Sequence, residues 1–140
     1  MNRAFVYAVL TSFIWGLAPA FEKMGLRGKI DPYAGVVIRT VPIAVIGLFG
    51  LLFLGKIKEI SSADLRSVAF VVAGGLLAGF FGQVAFYSAL KAGEASKVVP
   101  LAATYPLVAL VISVIFLGEE LTLQKFAGIG MIVSGVILLR

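Results

Sequence analysis

The chain has 140 residues, 61% hydrophobic and 14% charged, with a net charge of +5. A soluble domain is near half apolar and a quarter charged, so this excess marks a membrane protein and excludes an ordinary water-soluble globule. Cysteine and histidine are both absent, which excludes disulfides, Cys/His metal sites and a histidine proton relay.

The first helix is predicted at about 4–26. Arg3, an apolar run and Ala18-Pro19-Ala20 superficially match a secretory leader with a small-residue cleavage site. Trp15 and Pro19 sit where that cleavage region would lie and speak for a retained span. The loop that follows, Glu22 to Pro32, is the most charged part of the chain. Asp31-Pro32 reads as an N-cap and first turn for a second helix at about 33–54, which Gly55-Lys56 ends. Ser61 with Asp64 three residues on resembles a capping box leading into a third helix at about 67–90.

That third helix carries Gly74, Gly75, Ala78, Gly79 and Gly82. Small residues at this spacing let helix backbones approach closely in lipid, either within one chain or at a dimer face. Gly93 is then expected as a C-cap and Ser96 as the N-cap of a fourth helix, about 97–117, with no charge from Leu101 to Leu117. A fifth helix is predicted at about 121–139, its apolar part starting near Thr122. The fold class is therefore all-α, with five transmembrane helices in a single domain covering residues 1–140.

The order Tyr87, Ala89-Leu90-Lys91, Gly93-Glu94-Ala95-Ser96, Val99-Pro100-Leu101, Tyr105-Pro106 and Leu117-Gly118-Glu119 resembles the EamA-type domain of the drug/metabolite transporter superfamily. Trp15-Gly16, Arg39 and Gly128 to Gly135 extend the resemblance over nearly the whole chain. It implies a multi-pass protein of the cytoplasmic membrane that exports or exchanges small metabolites or drugs. Family members with ten spans look like fusions of two such units.

Five spans put the termini on opposite sides. One side then carries Arg3, Lys56, Lys58, Arg66 and Lys125, and the other Lys23, Arg27, Lys29, Lys91, Lys97 and Arg140. Five against six is too even for the positive charge of short loops to fix one orientation, unless a few charges near the first helix decide it. Insertion both ways would let two copies form an inverted pair around a midplane site and work by alternating access. An antiparallel homodimer is the expected assembly. A heterodimer with a different half-subunit, or a non-transporting accessory subunit, is the alternative.

Arg39 is the most informative side chain. It lies six residues after Tyr33, roughly 9 Å along the helix. A charge at a helix centre costs roughly 2.5–3.5 kcal/mol on insertion. Arg39 therefore either snorkels to head groups or attracts an anionic group or an acid such as Glu22. Pro42 denies the Ile38 carbonyl its helical donor and leaves an acceptor beside it. In the first helix Trp15, Pro19 and Glu22 fall within about 60° of one face, with Lys23 at its edge. They form a binding wall, or an interfacial aromatic with solvated charges. Glu22 is the acid nearest an apolar span and the candidate for proton coupling. Gln83 and Tyr87 share a face of the third helix and need polar partners. Pro106 frees the Ala102 carbonyl beside Thr104 and Tyr105, as at the broken helices that line transporter sites. Pro19, Pro42 and Pro106 are the expected kinks.

No nucleophile–base pair, metal cluster or phosphate-binding loop is present. An enzyme, a cofactor and a bound metal are not expected. The scattered basic residues, without interleaved aromatics, argue for lipid head groups as neighbours and against nucleic acid. The expected partners are thus a small-molecule substrate, the bilayer and a second copy.

Overall fold

A computed structural model describes residues 2–138, so the predicted end of the fifth helix at Leu139, and Arg140, lie outside the described residues. Every regular element among them is helical. The order is α1 (Arg3–Leu26), α2 (Pro32–Phe53), α3 (Ile57–Ser61), α4 (Leu65–Gly75), a π-helical segment (Leu76–Phe81), α5 (Gly82–Ala92), α6 (Ala95–Ala102), α7 (Tyr105–Leu117) and α8 (Leu123–Leu138).

Four stretches are long and apolar enough to cross a membrane: Arg3–Leu26, Pro32–Phe53, Leu65–Ala92 and Ala95–Leu117. The fifth, Leu123–Leu138, has 16 residues. It is about 24 Å long, somewhat short of a hydrocarbon core of about 30 Å. Large apolar side chains such as Phe13, Phe53 and Phe116 stand exposed along these helices. Water would not tolerate such a continuous apolar surface, whereas lipid requires it. The protein is a multi-pass, five-helix membrane protein.

The helix ends follow local chemistry. Asp31 caps α2, its carboxylate accepting from the N–H of Tyr33 at 2.9 Å and of Ala34 at 3.4 Å. Past Leu54, Gly55 adopts φ 66°, which lets the Lys56 N–H reach back to Leu51 O at 3.0 Å. The expected box on Ser61 is not formed. Ser61 ends α3, and Asp64 is the cap, accepting from the Ser67 N–H at 2.9 Å. The Ser67 hydroxyl and then its backbone N–H hold the Asp64 carboxyl below its ordinary pKa.

Ser96 is likewise not a cap. It lies inside α6, whose N-cap is Glu94 without a side-chain bond. Gly93 follows the end of α5 as expected, though without a left-handed φ. The predicted helix 97–117 is two helices, broken at Ala103-Thr104, where the Thr104 hydroxyl bonds Leu101 O at 2.8 Å. Pro106 sits directly after this break, in the first turn of α7, where its missing N–H costs nothing. Helices α1 and α2 run unbroken through Pro19 and Pro42. The last helix begins at Leu123 rather than 121, with Thr122 Oγ1 accepting from the Lys125 N–H at 3.2 Å.

The chain divides into two compact units, Met1–Ala92 and Gly93–Arg140. In the first, α5 packs against both α1 and α2. Its buried residues are Pro19, Leu26, Gly35, Val36, Tyr87 and Leu90. They come from the C-terminal part of α1, the start of α2 and the end of α5. In the second unit, helices α6, α7 and α8 bury no residue.

Candidate functional site

The three helices that share this small core also bring together the polar residues of the first unit. Glu22 comes from the last two turns of α1, Arg39 from the third turn of α2, and Gln83 and Tyr87 from successive turns of α5. Glu22 Oε1 accepts from Gln83 Nε2 at 3.1 Å and from the Tyr87 hydroxyl at 3.0 Å. Arg39 Nη1 lies 4.0 Å from the same oxygen. The Glu22 side chain keeps 15% of its surface and that of Arg39 33%.

The pairing is uneven. All three groups approach Oε1, and Arg39 Nη1 is buried without a hydrogen-bond partner among the described residues. Two neutral donors hold the carboxylate, leaving the guanidinium to a long contact. In apolar surroundings an unmet N–H of this kind favours any acceptor that can reach it. The cluster therefore offers a carboxylate, a guanidinium with a donor to spare, an amide and a phenol around one point.

Nearby packing sets this geometry. Gly35 lies one turn before Arg39, and a methyl placed on it would stand 3.0 Å from Tyr87 Cδ2. The Tyr87 ring thus rests on the α2 backbone, which carries its hydroxyl to Glu22. Thr40 Oγ1 bonds Val36 O at 2.7 Å within the same turn. Tyr33 meets Phe80 edge to face, with ring centroids 5.5 Å apart. Lys23, expected at the binding wall, donates to the Leu90 carbonyl at the end of α5. Lys91 donates to Ile30 O at 2.6 Å. Both cations satisfy backbone carbonyls, the Lys23 contact lying where the α5 dipole is negative.

The other predicted residues lie elsewhere. Trp15, two turns before Glu22 on α1, is 63% exposed. Tyr105 belongs to the second unit, where it lines a groove of about 380 Å³ between α7 and α8 with Pro106, Ser113 and Lys125. Lys125 bonds Glu119 Oε2 at 3.3 Å and Glu120 O at 2.9 Å, closing the α7–α8 turn. Of the small-residue ridge, an added methyl on Gly74, Gly75 or Gly79 meets nothing within 4 Å, whereas one on Gly82 stands 2.9 Å from Leu77 O. Sequence reasoning missed Gly35 and the π-helical segment. A lone glycine four residues before an intramembrane arginine was the available signal for the first.

The EamA-like transporter family matches residues 2–140. The chain belongs to the EamA-like transporter family. An uncharacterized protein of Methanocaldococcus jannaschii is 31% identical over 99% of this chain and 97% of its own length. An uncharacterized transporter in the cobO 3′ region of Sinorhizobium sp is 30% identical over 95% of this chain and 93% of its own. An uncharacterized transporter of Bacillus subtilis is 35% identical over 90% of this chain but only 41% of its own length. No solved structure matches the chain significantly. This EamA-like chain is thus a membrane transporter of the drug/metabolite type by kinship, with its clustered polar residues in the first three spans.

Proposed function

We propose that the chain is one EamA-like domain acting as a half-transporter of the cytoplasmic membrane, moving small amphipathic metabolites or drugs by alternating access. The observation that carries this reading is the Glu22–Arg39–Gln83–Tyr87 cluster. Ionisable groups at membrane depth are costly and are kept where a pathway needs them. Arg39 Nη1, buried and unbonded, is the atom that an incoming acceptor or anionic group takes. The Glu22 carboxylate beside it holds the pair when the site is empty. Gln83 and Tyr87 orient that carboxylate.

Transport needs a second half. An odd number of spans gives an inverted repeat only by pairing with an oppositely inserted copy or with a different half-subunit. The near-even spread of basic residues supports insertion both ways, as does kinship with chains of equal length and with one more than twice as long. The assembly we propose is an antiparallel homodimer, with the site facing each side in turn.

The native chain lacks cysteine, so Lys29→Cys in the exposed α1–α2 loop and Lys58→Cys on the exposed short helix α3 report topology against a clean background. Each site is expected to react with an impermeant thiol reagent from both sides of the membrane in comparable amounts. Reaction of each from one side only removes the inverted homodimer and leaves a heterodimeric half-subunit.

A further inference from the structure

The third span is not one helix type. Between α4 and α5 the backbone takes six residues of π-helix, Leu76–Phe81, and the turn closes with the Gly82 N–H donating to Leu77 O, five residues back. A segment of i→i+5 bonds accommodates one residue more than the α-helix over the same length. Side chains beyond it are therefore turned by roughly 100° from where an unbroken α-helix would aim them. The first polar residues beyond it are Gln83 and Tyr87, the two that hold Glu22 Oε1.

Gly82 is the residue that permits the turn. A methyl there would stand 2.9 Å from the Leu77 carbonyl oxygen, a backbone atom that cannot rotate away. The same methyl on Gly74, in α4 of the same span, meets nothing within 4 Å. The requirement is thus local to the π turn and not a property of every glycine in the span. On the upstream side, Phe80 packs edge to face on Tyr33 of α2 at 5.5 Å and on Phe81 at 5.4 Å. The turn is held against α2 while α5 is re-aimed beyond it.

The geometry points to Gly82 as a positioning residue for the transport site: by admitting the π turn it sets the register that puts Gln83 and Tyr87 on Glu22. This rests on the proposed site, and it concerns how that site is assembled rather than what it carries. It also gives the small-residue stripe of the third span two separate roles. Gly82 serves the backbone turn, and the remaining glycines leave an open face.

The test reads register directly and needs no substrate. The full chain bearing Glu22→Cys and Gln83→Cys is treated in membranes with a short homobifunctional thiol cross-linker. The parent pair is expected to cross-link in high yield. Adding Gly82→Ala is expected to lower the yield at least five-fold, and adding Gly74→Ala instead to leave it unchanged. Deleting Gly79 removes the extra residue that the π turn absorbs and allows an α-helix throughout, so combining the deletion with Gly82→Ala is expected to restore the yield. The inference is overturned if the parent pair does not cross-link or if Gly82→Ala cross-links like the parent. It is equally overturned if the deletion fails to restore the yield, since the loss is then misfolding and not register. A chain that passes this test but moves no solute in proteoliposomes instead overturns the transporter reading alone.

Discussion

The two units of this chain handle the same apolar composition differently. In Met1–Ala92, six buried residues, Tyr87 among them, gather where α1, α2 and α5 meet, and Glu22, Arg39 and Gln83 are held beside them. In Gly93–Arg140, α6 to α8 bury nothing, and α7 and α8 leave between them an apolar groove of about 630 Å³. In lipid a helix satisfies its own backbone and needs no core to exist. Packing is therefore spent selectively. Where a charge pair is held, helices are drawn together; elsewhere they bury no residue. Substitutions should be felt sharply in the first region and weakly in the second.

The largest effect is expected at the charge pair. Glu22→Gln or Arg39→Gln should lower transport at least a hundredfold in proteoliposomes. Each also leaves the other charge without its counterpart. That costs about 3–5 kcal/mol in a fully buried pair, and less here because Arg39 keeps a third of its surface. The double variant should therefore unfold at a higher temperature in detergent than either single one. Single variants that transport normally would show that the cluster is structural and that the contrast between the units has no functional meaning.

A smaller effect tests packing without touching charge. Gly35→Val forces a branched side chain against the Tyr87 ring, already 3.0 Å from a placed methyl, and should cost about 1–3 kcal/mol by thermal unfolding. Gly128→Ala in α8, where the methyl meets nothing, should be neutral or raise stability by up to about 1 kcal/mol through helix propensity. Equal responses at the two glycines would erase the comparison.

The smallest effect is at the exposed cap of α4. The folded chain holds the Asp64 carboxyl below its ordinary value, so its contribution is present above the unfolded pKa and is lost as pH falls through the lowered folded one. The melting temperature should drop slightly on acidification through that range, and Asp64→Asn should flatten the dependence. An unchanged slope in the variant would assign the acid sensitivity to other carboxylates.

Much of this was legible in the chain itself. Long uncharged runs separated by short charged loops define five spans, because lipid leaves a backbone of that length no alternative to the helix. Asp31-Pro32 and Gly55-Lys56 mark their helix ends because caps are satisfied by neighbours in sequence. Even the pairing of Glu22 with Arg39 was open to reasoning, since two opposite charges at the edges of adjacent apolar spans have few other partners. Composition and local patterning thus determined the fold class, the span count and the residues worth watching.

Only the tertiary structure decided how those residues meet. The rest of Tyr87 on Gly35 depends on contact between distant helices, and the π turn at Leu76–Phe81 leaves no mark in the apolar pattern. An apolar run reads the same whether its bonds close after four residues or five. The capping of the α5 end by Lys23 likewise needs α1 and α5 to be side by side, which no local signal reports. Helix formation is settled by the residues of one turn; the aim of a side chain across a membrane site is settled by the register of the helix that carries it against its neighbours.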